Sequence, residues 1–114
     1  MSYSDLQTSS KADNYLILTI CGSMRFFDKM LEVAGQFNAT GYIVLMPFGW
    51  IKPEEQEASE LKKMLDRMHF AKIDVSDAVY VVNPGGYIGK STRNEIAHAR
   101  ENGVTVLSLE PLHE

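Results

Sequence analysis

The sequence has 114 residues, of which 45% are hydrophobic and 23% charged. This suffices for one domain with one core and excludes a wholly disordered chain. The net charge of -4 argues against DNA or RNA as the main partner, because phosphate backbones select basic faces. The single cysteine, Cys21, excludes an internal disulfide, and we expect no cysteine-based zinc site. No apolar run reaches the ~18–20 residues of a membrane span. The N-terminus lacks a signal-peptide pattern, so we expect a soluble cytoplasmic protein.

The first third of the chain predicts a leader, a strand and a helix. Residues 1–13 are polar and without periodicity, which indicates a disordered leader before a single domain over residues 14–114. Tyr15 to Cys21 is a continuous apolar run, typical of a strand buried on both faces of a parallel sheet. Apolar residues from Phe27 to Phe37 then recur at helical spacing, and Gly41 ends that helix.

Strands and helices continue to alternate in the rest of the chain. Residues 47–59 form the longest irregular stretch, which is typical of a functional lid. The other predicted segments are a strand over Tyr42–Met46, a helix from about Pro53 or Ser59 to Asp74, a strand over Asp77–Asn83, a glycine-rich loop, a helix over Ser91–Asn102 and a strand over Val104–Leu109.

This βαβαβαβ order predicts a small, doubly wound α/β domain of the Rossmann or flavodoxin type. We expect about four to five parallel strands with helices on both faces and right-handed crossovers. Ligands of such sheets bind beyond the carboxyl ends of the strands. Two turns lie at those ends: the first-strand turn, Cys21 to Arg25, and the glycine-rich turn, Gly85 to Thr92.

Both turns have alternative interpretations. The glycine-rich turn resembles the phosphate loop of nucleoside triphosphatases, but that pattern requires glycine where the chain has Pro84. What remains is a turn whose free backbone N–H groups suit a monophosphate or a sugar hydroxyl. In the first-strand turn, Ser23 and Arg25 suit a phosphate or carboxylate. Alternatively, Ser23 caps the first helix and Arg25 is solvated.

The ionisable residues of the second half also allow two interpretations. Thr92 and Glu95 have the spacing of a capping box, whereas a carboxylate beside the glycine-rich turn can also attack a sugar carbon. Asp66, Lys72 and Asp74 are expected to be solvated or to flank the third strand. No second histidine lies at metal-ligand spacing, so neither a metal site nor a cofactor is expected.

Two motifs resemble the nucleoside 2-deoxyribosyltransferase superfamily, which includes the 2'-deoxynucleoside 5'-phosphate N-hydrolases. Ile20-Cys-Gly-Ser-Met-Arg25 is similar to the Gly-Ser-x-Arg turn of the monophosphate hydrolases. Asp77-Ala-Val-Tyr-Val-Val, the glycine-rich turn and Ser91-Thr-Arg-Asn-Glu95-Ile-Ala-His-Ala are similar to the family's strand, glycine loop and Gly-Thr-x-x-Glu helix start. The resemblance spans about Leu16 to Leu109.

The resemblance implies that Glu95 attacks C1' of a ribose or deoxyribose and that the base leaves. Water or a second base then completes hydrolysis or transfer. Where the family has an acid eight residues before Asp77, this chain has His69, which can donate to the leaving base if it faces the site; otherwise Asp74 takes that role or it is empty. The resemblance further implies that the substrate is held by residues of the two turns: Cys21, Gly22, Ser23, Arg25, Gly86, Tyr87, Gly89, Ser91 and Thr92.

The leading hypothesis is therefore an N-glycosidase or deoxyribosyltransferase acting on a nucleoside 5'-monophosphate or nucleoside. A non-catalytic nucleotide-binding or sensing module is the second, because the family's loop acid is replaced by Gly89 and Lys90. The third is an NAD-type nucleotide hydrolase, in which the region around Trp50 admits a second nucleotide. Surplus apolar residues such as Phe26 and Met64, together with the resemblance, predict a homodimer.

Overall fold

The structure, a computed structural model, describes residues 14–48 and 60–113. The predicted leader and residues 49–59 of the predicted lid lie outside the described residues. Within the two described ranges, no helix has the length and apolar character needed to traverse a bilayer.

Four strands and three helices alternate along the described residues. The strands are β1 (Ile17–Cys21), β2 (Ile43–Leu45), β3 (Ala78–Val81) and β4 (Thr105–Ser108). The helices are α1 (Phe27–Ala39), α2 (Glu60–Asp74) and α3 (Lys90–Glu101), with short 3₁₀ turns at Met24–Phe26 and Pro84–Gly86. All strand pairs are parallel, in the order β2-β1-β3-β4. The predicted small, doubly wound α/β fold is confirmed, with four strands.

The two central strands are apolar on both faces because helices cover both faces of the sheet. On one face, Leu18 and Ile20 of β1 pack with Met30 of α1. On the other face, Cys21 of β1 packs with residues of α2 and α3, among them Ile96. The sheet therefore has one core on each side.

The strand order places a switch point between β1 and β3. The chain leaves β1 through α1 toward β2 on one side, and leaves β3 through α3 toward β4 on the other side. Connections that part in this way open a crevice beyond the carboxyl ends of the two strands, where ligands of doubly wound sheets bind. Both turns singled out in the sequence lie at this crevice.

Candidate functional site

A cavity of about 600 Å³ opens at this switch point. Its walls come from the first-strand turn, the segment after β2, the inner face of α2 and the first turns of α3. The predicted site residues that line it are Gly22, Ser23, Arg25, His69, Gly89, Ser91, Thr92 and Glu95. Cys21 lies beneath the wall, fully buried. The structure does not bring Asp74, Gly86 or Tyr87 to the cavity wall.

The first-strand turn depends on glycine at position 22. Gly22 has a φ of 151°, and a Cβ there would lie 2.8 Å from the carbonyl oxygen of Val82 and 2.9 Å from the terminal methyl of Met30. Any side chain would therefore push the turn away from β3. Because Gly22 has no side chain, the turn after β1 can pass close to Val82 and form part of the cavity wall.

Ser23 caps the 3₁₀ turn, and Arg25 is exposed but has side-chain contacts with Tyr87. The Ser23 hydroxyl accepts a 3.4 Å hydrogen bond from the backbone N–H of Arg25, which caps the 3₁₀ turn. The Arg25 guanidinium donates to the Tyr87 hydroxyl at 3.3 Å and lies 4.2 Å from the centre of the Tyr87 ring. Tyr87 thus positions Arg25, which lines the cavity, while Tyr87 itself does not line it.

The capping-box interpretation of Thr92 and Glu95 is wrong. Helix α3 begins at Lys90 with Gly89 as N-cap, so Thr92 already lies inside the first turn and is buried. Glu95 stands one turn further along and lines the cavity. The first backbone N–H groups of α3 have no acceptor within the helix and lie at the cavity wall, where they suit an anion.

Glu95, His69 and Cys21 meet at the base of the cavity and are called here the Cys21–His69–Glu95 cluster. The Nε2 atom of His69 lies 3.7 Å from Oε1 of Glu95 and 3.6 Å from Sγ of Cys21. All three ligand atoms lie within 4.8 Å of one another, the arrangement of groups that can hold a metal ion. The side chains of His69 and Glu95 are only 8% and 16% exposed.

Burial sets the protonation of this cluster. It raises the pKa of Glu95 from 4.5 to about 7, an effect opposed by the hydrogen-bonding Cys21 thiol and reinforced by the charge of Asp66. Burial and the charge of Lys72 lower the pKa of His69 to about 4. Burial, then the charge of Glu95, raises the pKa of the Cys21 thiol. At neutral pH the imidazole is neutral, so its contact with Glu95 is not an ion pair.

The inner face of α2 brings three charged side chains to the cavity, two of which, Asp66 and Lys72, were predicted to be solvated or to flank the third strand. Lys62, Asp66 and Lys72 all line the cavity. Asp66 lies 2.8 Å from Lys62, and the ammonium of Lys72 donates to the Met46 carbonyl at 2.6 Å. Together with His69 these residues recur every three or four positions, which is one face of a helix. That spacing is the signal that could have found them.

Asp74 lies at the other end of α2, away from the cavity. Its carboxylate lies 2.6 Å from Nε2 of His98 on α3, and Asp74 is exposed. The alternative in which Asp74 donates to a leaving base is therefore not supported by the geometry. His98 thus connects α3 to α2, and its ring also packs against Phe70 of α2 at 4.7 Å between ring centres.

Comparison with known proteins gives a likeness of fold. No protein-family model and no curated protein matches the chain. Among solved structures, a conserved protein from Enterococcus faecalis V583 is similar, with a TM-score of 0.58 and 18% sequence identity over 82% of this chain. The match covers 62% of that protein, so this chain spans less than two thirds of its length. At this identity the likeness extends to the α/β fold alone.

Proposed function

We propose that the protein is an N-glycosidase that cleaves the bond between base and sugar in a nucleoside 5'-monophosphate, with Glu95 as the nucleophile. The observation that carries the proposal is a nearly buried carboxylate that lines a cavity at the switch point of the sheet, with its pKa raised to about 7. Desolvated carboxylates at ligand crevices are characteristic of catalytic groups. A volume of about 600 Å³ suits a ligand of nucleotide size.

The reaction follows from the position of Glu95. Its ionised carboxylate attacks C1', a C1'–O bond forms, and the C1'–N bond breaks with its electron pair passing to the base. His69 is neutral at neutral pH because its pKa is lowered by burial to about 4, so it offers the base a hydrogen bond rather than a proton. Water then attacks C1', the C1'–O bond to Glu95 breaks and restores the carboxylate, and the proton that water loses passes through solvent to the departed base. Attack by a second base instead gives transfer.

The polar wall of the cavity supports a phosphorylated substrate over a free nucleoside. Tyr87 positions the guanidinium of Arg25. The cavity wall also contains Lys90 and Ser91, which begin α3, and Ser23, which offers a hydroxyl. A guanidinium together with the N-terminus of a helix is a favourable environment for a phosphate group. These groups lie on the walls around Glu95, which suits a 5'-phosphate held while C1' faces the carboxylate.

Chromatography of reaction mixtures tests the proposal. Substrates are ribo- and deoxyribonucleosides, their 5'-monophosphates and NAD, each with wild type, Glu95→Gln and the matched control Glu101→Gln, an exposed glutamate of the same helix. We expect wild type and Glu101→Gln to release free base from a monophosphate, and Glu95→Gln to release none while keeping its circular dichroism spectrum. Equal release by Glu95→Gln, or no release from any substrate, would refute the assignment.

A nucleotide-binding or sensing module without catalysis is the second candidate. It is favoured by one observation: His69 is neutral at neutral pH, and the glycine-rich turn has Gly89 and Lys90 in place of the family's loop acid, so neither brings a carboxylic acid to the leaving base. Calorimetric titration with the same monophosphates distinguishes the two. Saturable binding that is retained in Glu95→Gln, without base release by wild type, would favour the module.

A further inference from the structure

The Cys21–His69–Glu95 cluster has the shape of a metal site. With Zn–S near 2.3 Å and Zn–N or Zn–O near 2.05 Å, a tetrahedral ion holds sulfur and nitrogen about 3.5 Å apart, and nitrogen and oxygen about 3.4 Å apart. The observed separations are 3.6 Å between Sγ and Nε2 and 3.7 Å between Nε2 and Oε1. These two separations match the tetrahedral values to a few tenths of an ångström, and all three ligand atoms lie within 4.8 Å of one another.

The imidazole of His69 lies between the other two groups of the cluster. His69 is 6% exposed, and its Nε2 atom contacts both the Cys21 thiol and the Glu95 carboxyl group. A single ring nitrogen forms a good hydrogen bond with one of these groups at a time, whereas a metal ion between the three atoms would bind all of them. The Nδ1 atom, which has no hydrogen-bond partner in the described residues, takes no part in this site.

We propose that Cys21, His69 and Glu95 bind one zinc ion, whose fourth position opens to the cavity. One sulfur, one nitrogen and one oxygen donor suit zinc, whereas calcium and magnesium prefer oxygen alone. On binding, the Cys21 thiol loses its proton to solvent, and lone pairs of Sγ, Nε2 and Oε1 form the three bonds to the ion. Three protein ligands with one open position are typical of zinc sites that admit a further ligand.

Zinc binding has a consequence for the reaction proposed above. A carboxylate engaged by the ion cannot attack C1', so zinc would inhibit base release. This consequence rests on the proposed function, whereas the zinc site does not. The two stand or fall by different measurements: metal binding by spectroscopy, and base release by chromatography.

Cobalt(II) is the probe for the site, because its absorption reports both thiolate ligation and tetrahedral geometry. The full chain is treated with a chelator, exchanged into chelator-free buffer and titrated with cobalt chloride. We expect saturation at one equivalent, a sulfur-to-cobalt charge-transfer band, and displacement by zinc. Cys21→Ser should lose the charge-transfer band, and His69→Gln should weaken binding by about 100-fold or more. His98→Gln, a histidine outside the cavity, should bind like wild type.

Thermal unfolding gives a readout that does not depend on the core substitution at Cys21. Zinc at a hundredfold excess over its wild-type Kd should raise the wild-type Tm by roughly 10 °C and that of His69→Gln by no more than about 2 °C. Absence of saturable one-equivalent binding, or a charge-transfer band that persists in Cys21→Ser, would overturn the proposal. An equal loss of binding in His98→Gln would also overturn it. Zinc binding, together with no base release by the chelator-treated protein from any substrate, would leave the site standing and refute the glycosidase.

Discussion

Replacement of Glu95 by glutamine should change the stability of the protein in a pH-dependent way. Burial raises the pKa of Glu95 from 4.5 to about 7 in the folded state. Between these pH values the folded state holds the proton and the unfolded state does not, so the free energy of unfolding falls as pH rises through 7. The shift of the Glu95 pKa from 4.5 to about 7 corresponds to a loss of about 3 kcal/mol in the free energy of unfolding. Glutamine does not titrate, so the variant is spared this loss.

The quantity to follow is the difference in unfolding free energy between Glu95→Gln and wild type. His69 has its own dependence of opposite sign, because a pKa lowered from 6.5 to about 4 makes stability rise with pH over that range. The two therefore offset each other in the wild-type profile. Both proteins retain His69, so subtraction isolates Glu95, and the difference should move in favour of glutamine by about 3 kcal/mol between pH 4.5 and 8.

Urea unfolding followed by circular dichroism measures this difference, at pH values from 4.5 to 8 and with a chelator present. Glu101→Gln is the matched control, because Glu101 is an exposed glutamate of the same helix. A Glu95→Gln difference that is constant over this range would refute the argument, because it would mean that the carboxyl group is as well solvated folded as unfolded.

Three further predictions concern other parts of the structure. Gly22→Ala should lower the free energy of unfolding by about 2–4 kcal/mol, measured by thermal unfolding, because its Cβ would lie 2.8 Å from a carbonyl oxygen. Gly35→Ala, in open space on α1, should raise it by about 0.5–1 kcal/mol. Equal effects of the two substitutions would contradict the close approach of Gly22 to that oxygen. If Glu95 is the nucleophile, kcat/KM for base release should rise about tenfold per pH unit below 7 and level off above it, and a flat rate profile would exclude this role. Asp74→Asn should cost about 0–1 kcal/mol by weakening the surface pair with His98 and should leave base release unchanged; loss of release would place Asp74 in the reaction after all.

Hydrophobic patterning predicted the elements of the fold well. Residues 17–21 and 78–81 are apolar on both faces because helices cover both faces of the sheet, and this leaves a continuous run that is easily identified. The strand order could not be predicted from this pattern, because a run of apolar residues does not indicate on which edge of β1 strand β3 pairs. The start of α3 was placed one residue late and its cap misassigned, since Gly89 caps without a side chain.

The candidate site was predicted only in part. Glu95 and His69 came from a resemblance and from counting residues, and the structure brings them together. Their contact with Cys21 was not predicted, because the cysteine is 48 residues from His69 along the chain and a search for metal-ligand spacing considers near neighbours. Whether a helical residue faces a crevice depends on the rotation of the helix over the sheet, which tertiary packing decides.

The position of Cys21 makes the protein its own reporter of opening. It is the one cysteine of the chain and is fully buried at the end of β1. Its carbonyl oxygen accepts a 2.8 Å hydrogen bond from the backbone N–H of Val82. A thiol-specific alkylating reagent can reach it only when the residues that cover its sulfur, among them His69 and Glu95, separate. The labelling rate therefore measures the free energy of that separation on unmodified protein, and a nucleotide or zinc ion in the cavity would be seen as slower labelling.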